Sequence, residues 1–235
     1  MTASDFEFRH RMSLIAAIFA LAFCCSWIDP RNAGDALARR LISWGIPASD
    51  AGGRHVVFFL AFALVAAGAA LRTWGTAHLE VETMEDARLR SERLVVAGPY
   101  RHVRNPLYLG NLLVAAGVGF LASRLGFIVL VAGMDVFLVR LILREEQHLL
   151  LRHGAAFKPF LEVPRLWPAW RARVAASSTA RPRWIPAVLA ELLMWAAAAA
   201  MGVYAASFSI AAFFIVLAAG VVVTGLRFGA ARRRG

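Results

Sequence analysis

The chain has 235 residues, of which 60% are hydrophobic and 17% are charged, and this composition is too apolar for a soluble domain of that length. Its net charge of +11 would fit a nucleic-acid-binding protein only if the basic residues gathered on a water-soluble face. They lie between apolar runs instead. The composition therefore indicates an integral membrane protein and argues against a nucleic-acid partner.

Six apolar stretches are long enough, or nearly so, to cross a bilayer, because about 20 apolar residues span the hydrocarbon core and roughly 17 are the lower limit. Each is predicted to be helical, since lipid offers the backbone no other hydrogen-bonding partner. The predicted spans are Met12 to Ile28, Val56 to Trp74, Leu107 to Ala122, Leu125 to Leu143, Ile185 to Ala205 and Phe208 to Leu226. The predicted fold class is therefore all-α, a polytopic membrane protein of about six transmembrane helices.

The connections divide the chain into three parts. An amphipathic piece at Ala36 to Trp44 is predicted to lie along the membrane interface, and Ser123-Arg124 joins the third and fourth spans as a tight helical hairpin. A stretch rich in Ala, Ser, Thr and Arg is typical of a linker. The predicted parts are a membrane-embedded core at 1–171, with a helix and loop at 144–171, a linker at 172–183, and a terminal helical pair with a basic tail at 184–235.

The positions of arginine and lysine predict the orientation, because positive residues are retained on the cytoplasmic side. With the N-terminus inside, the inner segments hold 21 of these residues and the outer segments hold five. Any site built on the inner segments should therefore face the cytoplasm. The arginine- and alanine-rich composition favours a bacterial protein, so we expect a multi-pass protein of the inner membrane.

The polar segment from Gly98 to Gly110 leads into the third predicted span. Gly98-Pro99 is a turn signal, and Pro106 suits the first turn of a helix. The free N–H groups and dipole of that helix start favour an anionic ligand such as a carboxylate or phosphate. Four polar side chains cluster there: Arg101, Arg104, Asn105 and Tyr108. The same arginines would also serve as anchors to lipid headgroups, with Tyr108 as an interfacial aromatic residue.

A second polar segment starts inside the fourth predicted span. Arg140, Arg144 and His148 recur at four-residue spacing, which places them on one helical face, and Glu145 lies about 100° around the helix from Arg144. Ionisable groups at membrane depth are costly and are functional candidates by default. The alternative is a solvated helix extension with intrahelical ion pairs. Asp135 and Glu191, single acids within spans, are each predicted to be paired inside the bundle.

No metal site is predicted, because no pair of His or Cys residues recurs with a third ligand at a recognisable spacing. His102, His148 and His153 are scattered along the polar segments. Cys24 and Cys25 are adjacent within the first apolar run and are predicted to be packing residues.

Together, the two polar segments resemble those of the isoprenylcysteine carboxyl methyltransferase family, a broad family that includes phospholipid N-methyltransferases. The resemblance covers roughly Leu71 to Pro168. It rests on Gly98-Pro99-Tyr100-Arg101, on Val103-Arg104-Asn105-Pro106-Leu107-Tyr108-Leu109-Gly110, on Arg144-Glu145-Glu146 and on Val163-Pro164-Arg165. The motif of each polar segment is weak evidence alone, but the two motifs in this order are specific.

The resemblance implies S-adenosylmethionine as cofactor and in-line methyl transfer to a hydrophobic acceptor that enters from the bilayer lipids. The acceptor would be a lipid-like or prenylcysteine-like carboxylate, or a phospholipid amine, and a small thiol also remains open. The implied cofactor-binding residues are Leu94, Val95, Gly98, Pro99, Tyr100, Arg104, Asn105, Pro106, Tyr108, Glu145 and Glu146. The implied catalytic residues are Arg144, Glu145 and Arg165.

Departures from the family pattern fall in the same segments. Asn105 stands where many relatives have His, and Asn cannot titrate. Phe157 and Phe160 stand where tyrosine is common, and His153 replaces a common Phe, so the acceptor site should differ. Two other functions fit these residues: a sterol-type reductase that uses NADPH, and a non-catalytic membrane protein that binds anionic lipid. The sequence leaves the oligomeric state open.

Overall fold

The computed structural model describes residues 2–46, 50–89, 97–172 and 181–232. Within these ranges the regular structure is helical, which confirms the all-α prediction, and a single isolated bridge pairs Asn32 with Ser123. The α-helices are α1 (Asp5–Arg9), α2 (Arg11–Cys24), α3 (Ala33–Ser43), α4 (Asp50–Leu89), α5 (Pro106–Gly119), α6 (Arg124–His153), α7 (Trp184–Ala190), α8 (Leu192–Ser207) and α9 (Ile210–Arg232). Short 3₁₀ segments are Cys25–Trp27, Gly98–Arg101 and Gly154–Glu162.

Three helical segments in the described part of the chain are long and apolar enough to cross a membrane: Gly52–Leu79, Arg124–His153 and Ile210–Arg227. A fourth span results if α7 and α8, which meet at a sharp bend, are counted as one. The apolar helices Arg11–Trp27 and Pro106–Gly119 are shorter. The chain is therefore an integral membrane protein, and the number of six spans stays a prediction.

The continuous helix predicted from Ile185 to Ala205 is wrong. The structure breaks it at Glu191, and the two pieces are bent by 67°. No Pro or Gly lies between 187 and 201, so the local sequence does not impose the break. The break coincides with the side-chain contacts of Glu191, which accepts hydrogen bonds from Arg72 and Thr76 of α4.

The chain forms two compact units, each assembled from three separate stretches. The first unit comprises Met1–Leu14, Ala70–Leu112 and Asp135–Glu191, and the second comprises Ile15–Ala69, Leu113–Met134 and Leu192–Gly235. The long helices α4 and α6 contribute residues to both units. The linker predicted at 172–183, between the membrane-embedded core and the terminal helical pair, does not follow from these two units and stays a prediction.

The second unit has an apolar core in which Phe58, Val65 and Met201 are fully buried. Its last two helices approach closely, because a Cβ atom on Gly220 would overlap the side chain of Ala196. The rows of small residues in these helices therefore pack against each other within one chain. The α3 helix covers the predicted amphipathic piece up to Ser43 and is N-capped by Asn32, whose side chain accepts a hydrogen bond from the Asp35 N–H at 3.0 Å.

In the first unit, α1 is fastened to α6 by polar contacts. A capping box between Ser4 and Glu7 starts α1. Arg140 donates from Nη2 to Glu7 at 2.8 Å, and Arg144 donates to the carboxylate of Asp5 and the carbonyl of Ala3. The arginine face of α6 is therefore occupied by the N-terminal helix.

Candidate active site

A cavity of about 290 Å³ lies within the first unit, near the lower end of the roughly 300–1,000 Å³ typical of small-molecule sites. Its walls combine apolar side chains with one basic group, one carboxylate and one imidazole. The lining residues are Leu79, Tyr100, Arg104, Asn105, Pro106, Leu107, Tyr108, Glu145, Leu149, His153 and Phe160. They come from α4, α5, α6 and the two 3₁₀ segments Gly98–Arg101 and Gly154–Glu162.

The turn at Gly98–Arg101 positions Tyr100. Gly98 has φ +52, and a Cβ atom there would overlap the imidazole of His78. Both features require glycine, which has no side chain and tolerates positive φ. Tyr100 is then buried in an apolar cluster with Phe157, Phe160 and Val163. Phe157 is fully buried, so the phenylalanine found here in place of the family's tyrosine contributes packing.

The loop after Glu162 runs beside the start of α5 and is bonded to it. The backbone N–H of Arg104 donates to the Pro164 carbonyl at 2.8 Å, and the Asn105 side-chain amide donates to the Arg165 carbonyl at 3.0 Å. Further along, the Ala169 N–H donates to the His102 carbonyl at 2.8 Å. Asn105 therefore joins the two polar segments that the sequence motifs singled out.

Behind the cavity wall, one carboxylate lies between two arginines. Arg165 donates from Nη2 to Glu146 Oε2 at 2.8 Å and from Nε at 3.1 Å. Arg104 Nη1 lies 3.0 Å from Glu146 Oε1, but its N–H groups are not directed at this oxygen, and its Nε and Nη1 have no hydrogen-bond partner among the described residues. Two guanidinium groups and one carboxylate leave one positive charge in excess.

Burial dominates the electrostatics of Arg104. The Arg104 side chain is only 9% exposed, and this desolvation lowers the pKa of its guanidinium, with the Arg165 charge acting in the same direction and Glu146 opposing it. The hydrogen bond to Glu146 raises the pKa of Arg165. Buried N–H groups without partners are costly. Arg104 is therefore a largely buried cation whose Nε and Nη1 have unused hydrogen-bonding capacity among the described residues.

The acidic group of the cavity is Glu145. The Tyr108 hydroxyl donates to Glu145 Oε1 at 2.6 Å. Leu149 and His153 follow Glu145 at intervals of four residues and line the same cavity, so this face of α6 forms one wall. The cavity therefore presents charges of opposite sign, a combination that fits a zwitterionic ligand.

A buried ion-pair cluster fixes the wall formed by α4 and α5. Arg72 donates to Glu191 from Nε at 2.7 Å and from Nη2 at 3.0 Å. Its Nη1 donates to the Asn111 side chain at 2.8 Å and to the Leu107 carbonyl at 3.3 Å, while the Thr76 hydroxyl donates to Glu191. This confirms that Glu191 is paired inside the protein, and it fixes the cavity residue Leu107.

The structure brings most of the predicted site residues together. Six line the cavity: Tyr100, Arg104, Asn105, Pro106, Tyr108 and Glu145. Gly98 and Pro99 form the turn that carries Tyr100, while Glu146 and Arg165 pair behind Arg104. Leu94 and Val95 lie outside the described residues.

Arg144 is a predicted site residue that lies away from the cavity and is bonded to α1 instead. It binds Asp5 and Ala3, and its guanidinium lies 4.9 Å from the centroid of the Phe8 ring. His148, predicted on the same face, is exposed. The cavity is lined by the adjacent face of α6, which begins one residue later at Glu145. The catalytic roles implied for Arg144, Glu145 and Arg165 stay predictions.

Five lining residues were not among the implied cofactor-binding and catalytic residues. They are Leu79, Leu107, Leu149, His153 and Phe160. The four-residue spacing from Glu145 to Leu149 and His153 is a signal that identifies two of them. Leu79 and Phe160 reach the cavity only through tertiary packing with Tyr100.

The helical fold and the cavity define an integral membrane protein with a cavity that is lined by one acidic and one basic group. Residues 56–155 match the family model described as phospholipid methyltransferase. The chain is therefore similar to the phospholipid methyltransferase family over these residues, which confirms the predicted resemblance, and every lining residue except Phe160 falls within the matched segment. No curated protein and no solved structure matches the chain.

Proposed function

We propose that this protein is an S-adenosylmethionine-dependent membrane methyltransferase and that the cavity beside Arg104 and Glu145 holds the methyl donor. The observation that carries the proposal is the pair of oppositely charged side chains, Arg104 and Glu145, that line one cavity. The methionine end of the donor carries both a carboxylate and an ammonium group, and its sulfonium supplies the methyl group.

Each wall of the cavity fits a different part of that cofactor. Arg104 suits the carboxylate, because a guanidinium can donate two parallel hydrogen bonds to it. Glu145, oriented by Tyr108, suits the ammonium group. The aromatic and aliphatic wall, with Tyr100 and Leu149, suits the adenine ring of the cofactor.

Glu146 receives a different role from the direct contact that the family resemblance implied. Its carboxylate is taken up by Arg165 and lies against Arg104. We assign it as a positioning residue that holds Arg104 at the cavity wall.

For the acceptor we favour the amine of a phospholipid headgroup entering from the bilayer, in keeping with the matched family. An amine loses a proton when it is methylated, so a nearby base assists the transfer. The titratable groups of the lining suited to this task are the carboxylate of Glu145 and the imidazole of His153. A prenylcysteine-like carboxylate is the alternative acceptor and needs no base. We further propose that the cavity faces the cytoplasm of a bacterial inner membrane.

Calorimetric titration of the purified protein with S-adenosylhomocysteine, the demethylated cofactor, tests the donor site. We expect one saturable site. In Arg104→Met the affinity should fall about 10- to 100-fold, because hydrogen bonds to charged groups contribute about 1.5–3 kcal/mol each. The matched control is Arg124→Met, which removes an arginine paired with Asp29 in the other unit and should leave the affinity unchanged.

The outcomes distinguish the candidate functions. Absence of saturable binding by well-folded protein would overturn the proposal. Binding of NADPH in place of the demethylated cofactor would indicate a reductase, whereas graded, salt-sensitive binding to anionic vesicles alone would indicate a lipid-binding protein. Incubation of membranes with a methyl-labelled donor then identifies the acceptor, since an amine product and an ester product are separable chemically.

A further inference from the structure

A second and larger cavity, of about 670 Å³, lies within the second unit. Its walls are apolar side chains from α2, α5, α8 and α9, among them Phe23, Val118, Ala197 and Phe214. Three of these helices, α2, α8 and α9, lie outside the residues 56–155 that match the methyltransferase family. This cavity is therefore a feature of the chain beyond the matched segment.

The cavity reaches the exposed side of a candidate membrane span. Residues Ile210–Arg227 of α9 form a candidate membrane span that is almost wholly unburied in the described chain. Two cavity residues on this helix are about half exposed, with Phe214 at 59% and Val221 at 52%. The apolar interior of the cavity is thus continuous with the lipid-facing side of a membrane helix.

The chemistry of the lining selects the occupant. Every side chain that lines the cavity is a hydrocarbon, an aromatic ring or a thioether, so water would lack the polar partners it needs to be held there. The surrounding bilayer core consists of hydrocarbon chains. A chain can enter sideways from the bilayer without crossing any charged group of the lining.

Small residues on α8 and α9 leave room for such a chain. Gly220 of α9 lies so close to Ala196 of α8 that a Cβ atom would not fit, which fixes the two helices side by side. The next residue on each helix, Ala197 on α8 and Val221 on α9, lines the cavity. Because Ala197 has only a methyl group, the space beside this contact stays unfilled by the protein.

We propose that the cavity between α2, α5, α8 and α9 binds one hydrocarbon chain of a membrane lipid. This inference does not depend on methyl transfer, because it rests on the second unit alone. The ligand class is a long aliphatic chain, recognised by shape and apolar contact, and its headgroup stays at the membrane surface.

The test uses the full chain in phosphatidylcholine nanodiscs that contain a small fraction of a phospholipid with a photoactivatable diazirine in one acyl chain. After illumination, cross-linked peptides are mapped by mass spectrometry. We expect labelling to concentrate on lining residues such as Met194 and Phe214. In Ala197→Phe, whose ring fills the space, labelling there should fall about tenfold.

The matched control is Ala219→Phe, the same substitution at an exposed position of α9 outside the lining, and it should keep the wild-type pattern. Leu193→Trp is a second blocking variant at a position that is 37% exposed, where a larger side chain is more readily accommodated than at Ala197. Circular dichroism and thermal unfolding establish that each variant folds. Even labelling along the whole exposed side of α9 in the wild type would overturn the proposal, as would wild-type labelling in a folded blocking variant.

Discussion

Two buried arginines of the first unit, Arg72 and Arg104, differ in how fully their nitrogens are bonded. Arg72 uses Nε, Nη1 and Nη2 in hydrogen bonds to Glu191, Asn111 and Leu107. Arg104 lies beside Glu146, but two of its nitrogens have no partner in the described part of the chain. A satisfied buried network rigidifies a fold, whereas an unsatisfied buried donor requires another explanation. The difference marks Arg72 as a structural residue and agrees with the cofactor-binding role proposed for Arg104.

The largest expected effect is that of Arg72→Met on stability. Removing one partner of a buried ion pair costs about 3–5 kcal/mol because the other charge is left without compensation, and Glu191 is only 6% exposed. We expect a clear fall in the midpoint of thermal unfolding, followed by circular dichroism in detergent. A double variant, Arg72→Met with Glu191→Leu, should recover much of the loss. If the single variant has the same midpoint of thermal unfolding as the wild type, Arg72 does not stabilise the fold, and its contrast with Arg104 fails.

A smaller effect is expected at the pair of Arg140 and Glu7, which is more exposed than that of Arg72 and Glu191 and so tests whether burial makes the difference. The hydrogen bond from Arg140 lowers the pKa of Glu7 from 4.5 to about 2. Because the pKa is lowered in the folded state, the stabilisation is complete above pH 4.5 and is lost as the pH falls through about 2. The Glu7→Gln variant should therefore melt below the wild type at neutral pH, with the gap closing in acid. Thermal unfolding across this pH range measures the gap, and a gap independent of pH would contradict the assignment.

The smallest expected effect on stability is that of Arg104→Met. The substitution removes a buried, poorly bonded cation and leaves Glu146 paired with Arg165. The free energy of unfolding should therefore be unchanged or should rise by up to about 1 kcal/mol. The same thermal measurement checks this result. A loss as large as that of Arg72→Met would show that Arg104 holds the fold, and the contrast between the two arginines would then fail.

The sequence predicts the helical class and the long helices well, because lipid leaves the backbone no alternative to the helix. It misses the break at Glu191, because that break coincides with contacts to Arg72, which is 119 residues away along the chain. Apolar periodicity carries no information on such a distant partner. A single polar residue within a long apolar run is the one local hint.

The site is predictable where it is local and unpredictable where two faces of a helix compete. From Tyr100 to Tyr108 the turn, the proline and the polar residues lie close in sequence, and the structure places five of these residues on the cavity. On α6, the same four-residue spacing describes the set that begins at Arg140 and the set that begins at Glu145. Charge density favours the first set, but α1 covers it. Which face is free depends on a helix more than 100 residues upstream.

The pair formed by Arg72 and Glu191 also constrains the order in which the protein can be assembled. When α4 is inserted, the chain that carries Glu191 has not yet been synthesised, since 119 residues separate the two partners. Until Glu191 emerges, the Arg72 charge needs a temporary partner such as water, a lipid phosphate or the insertion machinery. The ion pair can therefore form only after α5 and α6 have been synthesised, and a chain that stops before Glu191 retains an arginine at membrane depth without its carboxylate.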